Sequence, residues 1–548
     1  MKMRILSICA VAVVLNLIPA SMFAQHDAVA AMPAVKLSAD QWRSDIRFLG
    51  DELPKRHRNA FHRLKKEDYD AAVKALYDAA SRMTDDEIVV GMMKIVAMVK
   101  DGHTSLVAMP FFRSGIFPVK YYWFSDGLYI IKAAPQHEDL VGAKVLRIGK
   151  MSVDDALKAA GAANPSDNEM GTRNYAPLLI KVPEVLAGLK IVDDKTKLSL
   201  VVESNGKQKT VEITPTAAMN TLVEAPKDWV DLGGSSPLPL YRKSPGELYW
   251  SEYLKDKKIL YIQHNGIANK DGEPVADFYK RVLDLAETNP VDKLVMDIRF
   301  NGGGNNTLNI DVIKHLMRSK LNRRGSFFVI IGRDTFSAAQ NLVNQLEKYT
   351  DATFVGEPTA AHPNHYGDNR PFQLPNSHLT VRASSLWWQD LDPRDDRYWT
   401  APEVAAEMSS EDYRLGRDPA FQAVLDYSLA ASFPEILAEA QRTSDVNTFV
   451  TKYRAFKANP KHRFIDTEGP INRAGYWLLE RKRVPEAVEI FKLNAEYYPK
   501  SANVYDSLGD AYQAAGNKVE AIKAYEKALS IDPTYPSSID ALKRLRVQ

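Results

Sequence analysis

Gly475, Ala487, Phe491 and Pro499 recur as Gly509, Ala521, Tyr525 and Pro533, each 34 residues further on. A fixed period of that size constrains a chain more than composition does. Each copy must fold as one small unit that buries its apolar face only against its neighbour. The small residues let two helices approach, the aromatic fills the space between them, and the proline ends the second helix. Two copies are few for independent stability. Helices between about 434 and 467, and the final "SSIDALKRLR", are therefore expected to complete one stack over 434–548.

The period and residue types resemble the tetratricopeptide repeat, which implies a surface for a protein partner or for self-association. The rest of the 548 residues is too long for one further domain. Hydrophobic residues make up 45% and charged residues 26%, a globular balance. The formal charge of +2 argues against a dedicated nucleic-acid binder. The first residues, "MKMRILSICAVAVVLNLIPASMFAQ", combine a basic start, an apolar stretch interrupted by Asn16 and Pro19, and small residues near Ala24. This is the pattern of a secretory signal peptide over 1–24, so the mature chain is expected in the periplasm or outside the cell, with no membrane span. Cys9 is the only cysteine and would leave with that peptide. A disulfide framework, a cysteine nucleophile and a thiolate metal site are thereby excluded.

Residues 37–111 read as helical. "SADQ" and "TDDE" (Ser38–Gln41, Thr84–Glu87) fit capping boxes, and Ile88, Val89, Met92, Met93, Val96 and Met98 suit a buried helical face. From 112 to 215, short β-rich runs such as "YYWF", "LYIIKA" and "KLSLVVE" alternate with glycines, and "GAKVLRIGKMSVDDALKAA" reads as strand, turn and helix. This region resembles a PDZ-like domain. From 245 to 430 the apolar runs "KILYIQ", "KLVMDIR", "SFFVII" and "ATFVG" alternate with helical segments, as in an α/β sheet covered on both faces.

Three stretches at element ends carry candidate chemistry. "NGGG" (Asn301–Gly304) ends a strand with bare backbone amides suited to an anion or a developing oxyanion, or is simply a turn. "TFSAAQ" places Ser337 before a helix, as an N-cap or as a nucleophile beside the free amide of Ala338. "KDGHTSL" contains His103, a structural histidine or the base a serine needs. The pair His362 and His365 lacks a third ligand at a fixed spacing, so no metal or other cofactor is expected.

Together, "DGHT" (Asp101–Thr104), "DIRFNGGG" (Asp297–Gly304), "SA" (Ser337–Ala338) and "GEPT" (Gly356–Thr359) resemble, in type and order, the motifs of the tail-specific and tricorn core serine peptidases. The resemblance covers roughly residues 38–430. It implies an α/β multidomain chain with a crotonase-like catalytic core, Ser337 as nucleophile, His103 as base, and an oxyanion hole from Gly303 and Ala338, acting on peptide or protein substrates. The processing branch has a lysine after "GEPT", where this chain has His362, which makes His362 the alternative base. The tricorn branch has a serine before its histidine, where this chain has Gly102, so Thr104 or Ser105 is expected to orient His103. Asp390, Asp392 and Asp395 are candidates for the late acidic residue, or charges on a solvated loop. The other function classes are a catalytically degenerate envelope scaffold that binds peptides, and an esterase using the same site.

Overall fold

The computed structural model describes residues 36–109, 111–234, 237–390, 392–443 and 445–547. The signal sequence and Cys9 lie outside the described residues. The chain divides into two compact units, one ending at Ser428 and one beginning at Leu429.

The first unit is mixed α/β. It opens with helices Ala39–Arg56, Lys66–Ala79 and Asp85–Ala97. Both expected capping boxes form: Ser38 accepts from the Gln41 amide and Thr84 from that of Glu87, and each glutamine or glutamate side chain returns to its cap. Met92, Met93 and Val96 are buried as expected, while Met98 follows the helix and is half-buried.

Five antiparallel strands follow, in the order Val119–Phe124, Gly127–Ala133, Lys144–Ile148, Leu198–Ser204 and Lys207–Ile213. Helices Val153–Gly161, Glu169–Leu179 and Pro183–Gly188 lie between the third and fourth. One apolar core joins this layer to the leading helices and includes Phe372, Leu379 and Val381 of a later hairpin. The leading helices and the β-rich layer are thus packed as one body.

A six-stranded sheet runs in the order Val404–Ala405, Thr353–Gly356, Phe327–Ile331, Lys293–Asp297, Ile259–His264 and Tyr249–Leu254. All neighbours are parallel except the last pair. Alternate residues face opposite sides. Leu260, Ile262, Leu294, Met296, Val329 and Ile331 join one core with helices Val275–Thr288, Asn309–Arg318 and Ala338–Tyr349. Tyr261, Val295, Phe328, Ile330 and Val355 join another with Pro419–Leu425. Burial on both faces is why these strands read as near-continuous apolar runs.

The hairpin His365–Gln373 with Thr380–Trp388 takes Ser105–Val107 as a third, antiparallel strand, Ser105 opposite Arg382. This pairing carries the "DGHT" turn to the neighbourhood of the six-stranded sheet. In the second unit, helices Phe433–Thr443, Val446–Ala458, Glu468–Glu480, Val484–Tyr497, Ala502–Ala514, Lys518–Ile531 and Pro536–Val547 stack in sequence.

Candidate active site

Strand Phe327–Ile331 feeds a loop that ends at Ser337, immediately before helix Ala338–Tyr349. The loop is pinned from within. The Gly332 amide donates to Thr335 Oγ1 at 3.1 Å, the Thr335 hydroxyl to Ile298 O at 3.0 Å, and the Phe336 amide to Asn301 O at 3.2 Å. Ser337 itself lies at φ +56° and ψ −128°. A non-glycine residue pays steric energy in that region, and such strain persists only where the surroundings enforce it. The expected alternative, an ordinary cap, does not hold: Ser337 occupies the cap position, yet its side chain accepts from no helix amide. The Ala338 amide has no hydrogen-bond partner among the described residues and lies at the positive end of the helix dipole.

The glycine turn lies against this serine. Asp297 ends its strand in a buried network. Arg299 reaches Asp297 and Asp418, each at 2.8 Å, and the Tyr261 hydroxyl donates to Asp297 at 2.7 Å. Asn301, fully buried, donates to His264 O at 2.9 Å. Gly303 has φ +108°, and a Cβ there would lie 2.8 Å from Ser337 Cβ and 2.9 Å from the Ala338 nitrogen. Gly304, at φ +143°, would place a Cβ 2.2 Å from Ile267 O. Only glycine fits at either position. The Gly303 amide, expected to be free for an oxyanion, donates instead to Asn301 Oδ1 at 3.0 Å. The Gly304 amide has no hydrogen-bond partner among the described residues.

The fold brings His103 to the same place. Its ring stacks on Phe336, the residue before Ser337, with centroids 4.4 Å apart and planes 24° from parallel. On the same turn, Gly102 would place a Cβ 2.8 Å from Phe336 Cζ, so a serine there would not fit without movement. Burial lowers the His103 pKa below its ordinary value, opposed by the charges of Asp101 and Asp368 and by a hydrogen bond with the Tyr366 backbone. The ring is therefore neutral near pH 7, the state a general base requires.

The groups expected to orient His103 do other work. The Thr104 hydroxyl donates to Asp101 Oδ2 at 2.6 Å and accepts the Ser384 amide, while Ser105 is in a strand. Asp101 is the organising group. Its carboxylate also accepts from the His103 amide at 3.0 Å and pairs with His57 at 2.9 Å. Burial opposes its charge, but the His57 hydrogen bond and nearby His103 hold its carboxyl below the usual range. His103 Nδ1 lies 3.9 Å from Asp101 Oδ1.

His362 is buried, with Nδ1 3.1 Å from Arg397 O and its ring edge-on to Tyr398. Burial, then the Arg63 charge, lowers it to about 4. The histidine stacked beside His103 is His365, at 5.8 Å. Asp390 accepts from Asn341 at 2.5 Å, on the helix that Ser337 begins. Asp392 pairs with Arg394 and Asp395 with Arg397.

The sequence reading missed Asn301, Phe336, His365 and Asp167 as parts of this site. Asn301 was legible as part of "NGGG". Phe336 adjoins Ser337, and His365 was considered only as a metal ligand. Asp167, whose Oδ1 accepts the Gly102 amide at 2.7 Å, comes from the β-rich region and left no signal.

A structure of mature CPAF complexed with lactacystin superposes with a TM-score of 0.50 at 13% identity, covering 74% of this chain and 99% of that one. The first unit thus shares the fold of mature CPAF. A putative peptidase from Parabacteroides merdae matches at a TM-score of 0.38 and 15% identity over 71% of this chain and 99% of its own. The photosystem II D1 C-terminal processing protease matches at 0.33 and 11%, over 68% and 94%. The family model described as "Tetratricopeptide repeat" matches residues 502–535. No curated protein sequence matches the chain.

Proposed function

We propose that the chain is an exported serine peptidase. Ser337 attacks the scissile carbonyl, and His103 takes its proton and returns it to the leaving amine. The Ala338 amide, together with the Gly303–Gly304 turn, holds the tetrahedral oxyanion. With the Gly303 amide engaged by Asn301, Gly304 is the better second donor unless Asn301 turns away on binding. The observation that carries this reading is the backbone of Ser337. A serine held at positive φ, with a side chain that caps nothing and packed against a glycine that admits no Cβ, has the geometry of a strained strand-to-helix nucleophile turn.

In this reading residues 245–430 form a crotonase-like core, 112–215 a PDZ-like domain that receives peptide, and 37–111 a helical domain closing over His103. The helices of 434–548 dock a protein partner or a second copy. Residues 1–24 direct export to the periplasm or beyond. Among the described residues no helix is long and apolar enough to cross a membrane.

The test is cleavage of a peptide library by the full chain, read by mass spectrometry. The wild type is expected to cut, and Ser337→Ala to leave the library intact. Equal cleavage by both would remove Ser337 from the mechanism. Turnover of small acyl esters with no peptide cleavage would make the protein an esterase.

A further inference from the structure

The turn that carries His103 is gripped from two sides. Asp101 Oδ1 accepts the amide of His103 at 3.0 Å, and Asp167 Oδ1 accepts the amide of Gly102 at 2.7 Å. Two consecutive amides are thus each held by a carboxyl group, one from the turn itself and one from the β-rich region. The imidazole has no carboxyl hold of this kind, only a hydrogen bond with the Tyr366 backbone. Its Nδ1 is buried without a hydrogen-bond partner, and the 3.9 Å to Asp101 exceeds hydrogen-bond length. The orientation of the ring therefore rests on its stack with Phe336, on its hydrogen bond with the Tyr366 backbone and on the backbone beneath it. A Cβ on Gly102 would lie 2.8 Å from Phe336 Cζ and 3.4 Å from Asp167 Oδ1, so the turn is wedged between the two.

Asp167 is well placed to act as a fixed point. Its neighbour Asn168 is buried, caps helix Glu169–Leu179, and donates to Thr359 O at 3.1 Å and Tyr398 O at 2.9 Å. Six residues on, Asn174 bonds Asp334, in the loop that leads to Ser337. One short stretch of the β-rich region thus touches the His103 turn, the segment after "GEPT", and the loop before Ser337. Asp167 is itself buried, with Oδ2 unpartnered. Burial and then the Asp101 charge push its carboxyl up to about 8, against the amides of Gly102 and His362 and the Arg63 charge. Its Oδ1 accepts the Gly102 amide in either protonation state.

We propose that Asp167 is a positioning residue for His103: by holding the Gly102 amide, it fixes the angle at which the imidazole meets Phe336 and hence Ser337. The proposal rests on His103 being the base. A misplacement of about 1 Å in such a site costs on the order of 100-fold in rate.

The test compares Asp167→Asn, which keeps the acceptor, with Asp167→Ala, which removes it, in the full chain. Amide hydrogen exchange of the peptide spanning residues 99–107 reads the grip. Fluorophosphonate acylation and peptide cleavage read its consequence. Asp167→Ala is expected to lose protection in that peptide and to lower kcat 10- to 100-fold with KM changed less than about threefold. Asp167→Asn is expected to restore both. Unchanged exchange in Asp167→Ala overturns the grip, whatever the activity. Lost protection with unchanged kcat, or equal loss in both variants, overturns the positioning role. A wild type that is not acylated at Ser337 overturns the serine-peptidase reading, while the exchange comparison still decides whether Asp167 holds the turn.

Discussion

In the repeat unit, the residues that define the packing meet within one period. A Cβ on Gly475 would lie 2.4 Å from Phe491 Cζ, and one on Gly509 2.5 Å from Tyr525 Cε1. In the α/β unit the comparable close approaches join distant segments. Gly102 meets Phe336 and Asp167, and Gly303 meets Ser337. Both units use glycine to let one surface lie against another. In the first, the contact builds a helix pair. In the second, it assembles a site from pieces that are separate in sequence. A substitution in the repeats should therefore act on stability alone, and removal of a reacting side chain at the assembled site chiefly on chemistry.

The largest expected effect is that of Ser337→Ala. Acylation and cleavage should fall by at least about 10³-fold, with the melting of both units unchanged. His103→Ala comes next, with a loss of roughly 10²–10⁴-fold in kcat. His362→Ala should cost far less, because its Nδ1 faces the Arg397 carbonyl rather than the serine turn. A result in which only His362→Ala stops acylation would reassign the base.

Gly509→Ala probes the other side of the comparison. The added methyl group must displace Tyr525, a cost of about 1–3 kcal/mol. The repeat unit should melt earlier while Ser337 labelling is retained; a loss of labelling would show that the two units are not independent in function.

The remaining comparison is of pH. Because burial lowers His103, the acid limb of kcat/KM should fall below pH 6.5, its ordinary value. Stability has the same sign. His264 and His362 are lowered to about 4 and His365 to about 3, all chiefly by burial. Above pH 6.5 these groups are neutral in both folded and unfolded chains. As pH falls from 6.5 toward 4, the unfolded chain takes up protons that the folded one refuses, so stability declines. The repeat unit contains none of the three, and its melting should change less over that range.

The contrast also explains what was legible. The helices of the repeats follow from periods of 34 and 3.6 residues, the capping boxes from a four-residue pattern and the strands buried on both faces from near-continuous apolar runs, all of them local signals. The motifs "DGHT", "NGGG" and "SA" marked where chemistry could sit only by occurring together in that order, since each alone also reads as a turn, a cap or a structural histidine. Three things were not legible. The positive φ of Ser337 is imposed by its loop, not by serine. The capture of the Gly303 amide depends on the rotamer of Asn301. The approach of Asp167 depends on how the β-rich region packs on the sheet, and no local pattern encodes that packing.

The central claim is that Ser337 is an activated nucleophile rather than a helix cap. The direct measurement is intact-mass and peptide-mapping analysis of the folded full chain after treatment with a fluorophosphonate. A single adduct is expected, on Ser337, absent in Ser337→Ala and slowed in His103→Ala. A folded protein that takes up no adduct, or takes it up on another serine, would contradict it.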